Sequence, residues 1–268
     1  MAKENIKVYK KLKIDLSNDN KEDKYEANIS IVIPLYNQGI FLEEAVKSII
    51  SQIIHPMEII IVDDKSVDDS LVIAYGLKNK YNNIINITII EHDTNKGVSK
   101  SRNDGISISK GNWIICLDAD DYIEDNYISE IYKTQKLTKA DIIYTDCIIF
   151  GMLNNKLEYK RYNFSHYHEL ILRIQNNMVS AACYRKLCWS DVSGYETRLS
   201  SYEDYHFWLK IAMLDKGYKY KFQKCETTGY YYRRHDNSVS SHDIYKKDHL
   251  KNYKIFKETL GNFYLGKC

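Results

Sequence analysis

The sequence predicts an α/β fold: a mixed, mostly parallel central sheet with helices on both faces. Two patterns predict it. β-branched apolar runs recur four times between Asn28 and Asp121, and segments with helical spacing separate them. Such alternation builds strand–helix–strand units whose strands read as unbroken apolar runs, because neither face meets water. A third observation concerns the ends of those runs. Each stops on polar or acidic residues: Tyr36-Asn37, Asp63-Asp64, His92-Asp93, and Asp118, Asp120 and Asp121.

The elements follow in order. N-I-S-I-V-I-P-L-Y from Asn28 is the first strand, and residues 41, 42, 45, 46, 49, 50 and 53 form the apolar stripe of a first helix. M-E-I-I-I-V-D-D is the second strand. The next helix is expected to open at Ser66, whose spacing to Asp69 fits a capping box. I-N-I-T-I-I-E-H is a third strand, V-S-K-S-R-N-D-G-I-S-I-S a third helix, and W-I-I-C-L-D-A-D-D a fourth strand. Beyond Asp121 the pattern loosens. Asp125–Leu137 reads as a helix and A-D-I-I-Y-T-D-C-I-I-F as one strand. Short strands and a helix over His168–Ile174 follow, then a helix from Glu203 with an apolar face. Residues 1–27 read as a polar N-terminal extension, 28–240 as the folded domain with halves 28–125 and 126–240, and 241–268 as a Lys-rich helical tail.

The totals bound the function. With 268 residues and 44% hydrophobic side chains the chain can bury a full core. Its 38 basic and 36 acidic residues nearly cancel, which argues against a nucleic-acid partner. The six cysteines show no C-x-x-C pair and no metal-like spacing with His, so they read as reduced core thiols. The opening residues lack the apolar stretch of a secretory signal, so the expected location is cytoplasmic. G-x-x-x-x-G-K-[ST] and G-x-G-x-x-G are both missing, which excludes a P-loop ATPase and a dinucleotide fold.

The acidic strand ends carry the chemistry. In open parallel sheets ligands bind beyond the carboxyl ends of the strands. Carboxylates as close as Asp118, Asp120 and Asp121 cannot all stay ionised without a counter-charge. A hard divalent cation, Mn2+ or Mg2+, supplies it and shares its remaining positions with substrate phosphates. An acidic turn gives the same letters. For Asp63-Asp64, an acidic cluster favoured by a helix N-terminus is the bland alternative.

Five blocks in one order resemble the family 2 glycosyltransferases of the GT-A fold. They are P-L-Y-N (34 to 37), V-D-D-K-S-V-D-D-S (62 to 70), N-K-G-V-S-K-S-R-N (95 to 103), L-D-A-D-D (117 to 121) and S-Y-E-D-Y-H-F-W-L (201 to 209). The resemblance implies a nucleotide-binding edge. Pro34 and Tyr36 would shape the first loop, and Asp63 and Asp64 would meet uracil or ribose, Asp64 being the better match for the ring N–H. Arg102 would lie near the base or phosphates, and Asp118 would contact ribose or metal. Asp120 would be the main metal ligand, while Asp121 would support it from behind or simply turn the chain. Asp204 matches the family's catalytic base, with Glu203 positioning acceptor or loop. His235 would complete an Mn2+ site, and Arg233 or Arg234 would neutralise phosphate.

Ser201 and Asp204 also have capping-box spacing, and the helix dipole would then favour a charged Asp204. The implied reaction is a metal-dependent, inverting transfer from a UDP-sugar donor to a hydroxyl of a glycan or lipid-linked glycan. A sugar-nucleotide-forming nucleotidyltransferase and an inactive glycan- or nucleotide-binding relative are the rival readings. The Lys-rich tail can rest on an anionic membrane surface, at the inner face of the membrane, or pack on the domain as a solvated helix.

Overall fold

A computed structural model describes residues 28–153, 156–172, 175–176, 178–227, 229–235 and 242–260. The N-terminal extension lies outside the described residues, as does Cys268.

The first four strands are β1 (Ile29–Leu35), β2 (Glu58–Asp63), β3 (Asn86–Glu91) and β4 (Trp113–Cys116). β1 pairs in parallel with β2 and β4, and β2 with β3, so their carboxyl ends share one rim. Every residue of β1, β2 and β4 is buried, as the apolar runs predict. β3, at the edge of the sheet, is only half covered. Three helices link these strands: α1 (Gly39–Ile50), α2 (Ser70–Tyr81) and α3 (Val98–Ile108). α1 buries Leu42, Ala45, Val46 and Ile49, the inner part of the expected stripe.

α3 lies unusually close to the sheet. A Cβ on Gly105 would meet Val32 Cγ1 at 2.5 Å and Val62 Cγ2 at 3.2 Å, so glycine alone lets this turn sit on β1 and β2.

The rest of the chain completes two sheets. α4 (Tyr127–Thr138) leads into β6 (Ile142–Tyr144), which with β9 (Cys183–Arg185) and β10 (Phe222–Lys224) extends the first sheet to seven strands ordered β10-β6-β9-β4-β1-β2-β3. β9 runs antiparallel to both neighbours, which makes the sheet mixed. β5 (Tyr122–Ile123), β11 (Tyr230–Arg234), β7 (Cys147–Leu153) and β8 (Lys156–Tyr162) form a second sheet of four.

The stretch expected as one strand from Ala140 to Phe150 therefore divides between sheets. It breaks at buried Asp146, which accepts hydrogen bonds from Phe164 N (2.8 Å) and Arg161 Nη2 (3.3 Å) and pairs with Lys224 (2.9 Å). A buried carboxylate needs those partners, and straight pairing would deny them.

Among the described residues the remaining helices are α5 (Glu169–Leu172), α6 (Lys186–Asp191), α7 (Glu203–Ala212) and the long α8 (His242–Leu260). α5 is shorter than the helix expected over 168–174, of which 173 and 174 lie outside the described residues.

The capping box expected from Ser66 to Asp69 does not form. α2 begins at Ser70, four residues later than expected, and its preceding residue Asp69 makes no side-chain cap. Ser66 Oγ instead accepts from Asn37 N at 3.0 Å, and Asp68 Oδ1 accepts from Ser70 N at 3.0 Å. A tertiary contact with the first loop has taken the hydroxyl that local spacing would give the helix.

The C-terminal half of α8 packs on α7. Phe256 is 1% exposed and meets His206 edge-on, with ring centroids 4.9 Å apart, and Thr259 Oγ1 lies 2.6 Å from His206 Nε2.

Candidate active site

A cleft of about 470 Å³ opens where β1, β2 and β4 end, and α7 forms its far wall. Pro34, Tyr36, Asp64, Arg102, Asp118, Asp120, Glu203 and Asp204 all line it. Asp63, Arg233 and His235 stand outside this lining. Among the described lining residues five are carboxylates (Asp64, Asp118, Asp120, Glu203, Asp204), and Arg102 is the one Lys or Arg.

On the nucleotide side, Tyr36 is 46% exposed at the mouth and Asp64 is buried beneath it. Asp64 accepts from Lys96 N and Gly97 N, each at 2.7 Å, and lies 2.7 Å from His92 Nδ1. Gly97, at φ 86°, makes the turn that aims these two N–H groups at one carboxylate. Asp63 turns inward: Oδ2 accepts from Ser66 N at 3.1 Å, while Oδ1 is buried with no hydrogen-bond partner. Of the pair, Asp64 is thus the one that reaches the cleft.

Arg102 is 2% exposed and projects from α3 between two carboxylates. Its Nη2 donates to Asp118 Oδ1 at 2.7 Å and its Nη1 to Glu203 Oε1 at 2.6 Å. The guanidinium expected at the base or phosphates is occupied in joining the fourth strand's end to α7.

The acidic triplet divides into three environments. Asp118 is held by Arg102 and, at 3.3 Å, by Ser180 Oγ. Asp120 Oδ2 stands 2.9 Å from His235 Nε2. Asp121 is buried and accepts from Tyr230 Oη and from Arg233 N at 2.8 Å, which ties β11 to the rim. Burial, then the charges of Asp120 and Asp118, raise its carboxyl well above the ordinary carboxylate range.

Asp118 is thus bonded to Arg102 and Ser180, whereas Asp120 stands beside His235. Among the described residues no cluster of three potential ligands forms. Asp120 and His235 do present an oxygen and an imidazole nitrogen side by side, a donor pair that suits Mn2+. Five carboxylates against one guanidinium also fit a site that needs an added cation before a diphosphate can enter.

Arg233 is engaged away from the cleft. Its Nε donates to Asp120 O at 2.7 Å, Nη2 pairs with Glu44, and its guanidinium sits between Phe41 and Phe150, 4.7 and 4.4 Å from their ring centres. It fixes the strand end rather than lining the cleft.

Asp204 stands in the first turn of α7. Its Oδ1 accepts from Tyr205 N at 2.6 Å and Oδ2 from Asn176 Nδ2 at 3.3 Å. The capping box expected from Ser201 is not formed: Tyr202, in left-handed conformation at φ 61°, precedes the helix, and Ser201 Oγ accepts from Asn252 Nδ2 at 2.7 Å. Nor does the helix dipole decide the charge. Burial, followed by the neighbouring Glu203 charge, pushes the Asp204 carboxyl up to about 7, against the opposing pull of Arg102 and the two hydrogen bonds.

Ser180 and Asn176 lie in irregular segments and Tyr230 opens β11, and no spacing links the three to the carboxylates they touch.

The family model of glycosyl transferase family 2 matches residues 30–247. The chain belongs to this family. Its relatives include the Escherichia coli UDP-Glc:alpha-D-GlcNAc-diphosphoundecaprenol beta-1,3-glucosyltransferase WfaP, 30% identical over 85% of each chain. The poly(ribitol-phosphate) beta-glucosyltransferase of Bacillus spizizenii is 41% identical over 42% of this chain but only 18% of its own. Matches to Streptococcus pneumoniae GlyG and a Borreliella burgdorferi cholesterol galactosyltransferase cover 37% and 36% of those proteins, so the chain spans well under half of several relatives.

Among solved structures, S. aureus TarS 1-349 in complex with UDP-GlcNAc superposes with a TM-score of 0.67 at 20% identity, covering 89% of this chain and 68% of that one. Mannosyltransferase PcManGT from Pyrobaculum calidifontis, in complex with GDP-Man and Mn2+, gives 0.63 at 15% identity, covering 88% and 66%. These neighbours share the GT-A fold of this glycosyltransferase family member.

Proposed function

We propose that this protein transfers a sugar from a UDP-sugar donor to a hydroxyl of a glycan or lipid-linked glycan, with inversion at the anomeric carbon. One observation carries the reading: a carboxylate held up at about 7, Asp204, faces the cleft that Asp64, Asp118 and Asp120 line. A base whose proton affinity lies near the working pH takes a proton most effectively. Asp204 removes the acceptor hydroxyl's proton as that oxygen attacks the anomeric carbon and the bond to the diphosphate breaks on the opposite side. Asn176 orients the carboxylate.

On the donor side, Asp64 offers its carboxylate to the uracil ring N–H, Asp118 faces the ribose, and Pro34 and Tyr36 bound the base. Asp120 and His235 would hold a divalent ion, and Mn2+ or Mg2+ there would supply positive charge to the departing diphosphate. The acceptor in WfaP's name, a diphosphoundecaprenol-linked sugar, supports a lipid-linked substrate and, with it, work at a membrane surface. Exposed Lys251, Lys254 and Lys257 on α8 suit contact with an anionic surface, and among the described residues no helix is long and apolar enough to cross a membrane.

A thermal-shift panel of nucleotide sugars with and without Mn2+, paired with a UDP-release assay, tests this. UDP compounds raise the midpoint, more so with Mn2+, and acceptor glycans provoke UDP release. An unmoved midpoint with every UDP compound overturns the reading.

A further inference from the structure

The cleft wall facing the donor and the wall carrying the base meet at one side chain. Arg102 is buried, yet its two terminal nitrogens reach carboxylates that no local element joins: Asp118 after β4 and Glu203 at the start of α7. Through Asp118 the bonded chain continues to Ser180 Oγ at 3.3 Å, then Tyr230 Oη at 3.2 Å, and on to Asp121. Arg102 Nε is buried without a hydrogen-bond partner, so the side chain accepts an unsatisfied donor to keep its two-carboxylate grip. Its guanidinium also lies 5.5 Å from the ring centre of Tyr195. A planar fork of donors can span two carboxylates at once; a lysine ammonium is a point charge and cannot do so with the same geometry.

We infer that Arg102 is a positioning residue for sugar transfer rather than a donor ligand: by clamping Glu203 to Asp118 it fixes the start of α7 and thereby the place of Asp204 in the cleft. The inference rests on Asp204 being the base of the proposed reaction. Among the described residues, the charged groups facing Asp204 are Glu203 beside it, which raises its proton affinity, and Arg102 from α3, which lowers it, with Asp118 behind Arg102. The loop opposite contributes the uncharged Asn176. Glu203 and Arg102 therefore act on Asp204 in opposite directions, and substitutions at the two must move its titration oppositely. A purely architectural Arg102 would not produce that pattern.

The test follows Asp204 by carbon-13 NMR of protein labelled at aspartate carboxyls, its resonance identified by its loss in Asp204→Asn. UDP affinity is measured on the same samples, so neither readout needs turnover. Glu203→Gln lowers the Asp204 midpoint by about one pH unit and Arg102→Lys raises it by a similar amount. UDP affinity in Arg102→Lys stays within about threefold of wild type, less than the tenfold change that 1.4 kcal/mol would make.

Two results overturn the inference: midpoints that stay at the wild-type value in both variants, or an Arg102→Lys protein that loses tenfold or more in UDP affinity with its midpoint unmoved. If the lysine variant does not fold, Glu203→Gln cuts the same clamp at its α7 end: kcat falls at least about tenfold across the pH range with UDP affinity held, and a Glu203→Gln enzyme with wild-type kcat overturns the inference. Failure of the transferase reading is seen separately, as a wild-type protein that neither binds UDP nor releases it from a donor.

Discussion

Asp64 and Asp204 face one cleft from opposite walls and are supplied very differently. Asp64 has two backbone N–H groups at 2.7 Å and His92 at the same distance, all from the loop and strand end beyond β3. Asp204 has the N–H of its own neighbour and one longer bond from Asn176. Hydrogen bonds to a carboxylate favour its charged form, whereas burial and like charge favour the neutral one. The well-supplied group anchors a loop; at the poorly supplied one, burial and the Glu203 charge outweigh its two hydrogen bonds and raise the carboxyl.

Breaking the under-supplied side has the largest expected effect. Asp204→Asn should reduce transfer by about a thousandfold, in the range for loss of a general base. The same variant should melt a few degrees higher at pH 8. The native carboxyl binds its proton more tightly than the unfolded chain's, near 3.8, so stability falls as pH rises from there through about 7, and the amide escapes that penalty. Transfer assays and calorimetry at pH 8 check both, and a stable, fully active variant would refute the contrast.

Breaking the well-supplied side should cost structure first. Asp64→Ala strands Lys96 N, Gly97 N and His92, a loss of about 3 kcal/mol at roughly 1 kcal/mol per orphaned donor, together with UDP affinity. Denaturant titration and UDP calorimetry measure the two.

A smaller effect is the pH profile. Below about 7, kcat should fall tenfold per unit as Asp204 protonates and can no longer accept the acceptor's proton. Smallest, Asn176→Ala should reduce kcat about fivefold, the equivalent of one hydrogen bond of about 1 kcal/mol, and raise the midpoint of that profile.

Much of the first half was legible. Strands buried on both faces leave continuous apolar runs, and β1, β2 and β4 fall where those runs lie, with the acidic rim just beyond. Local spacing misled at both capping boxes. Ser66 and Ser201 have the right neighbours three residues on, yet their hydroxyls bond to Asn37 and Asn252, partners fixed only by the fold. The division of β6 from β7 depends likewise on Arg161, Phe164 and Lys224 reaching Asp146 from distant segments. Arg102 could be singled out from sequence, but its two carboxylate partners, 16 and 101 residues away, could not.

The contact of Gly105 with Val32 and Val62 has a reach beyond packing. It sits one helical turn after Arg102, so the absence of a single methyl sets how deep that guanidinium can sink between the two walls. Adding the methyl would push the whole turn outward and uncouple two distant acids without altering any ionisable group, so the charge pattern of the cleft is set in part by hydrocarbon.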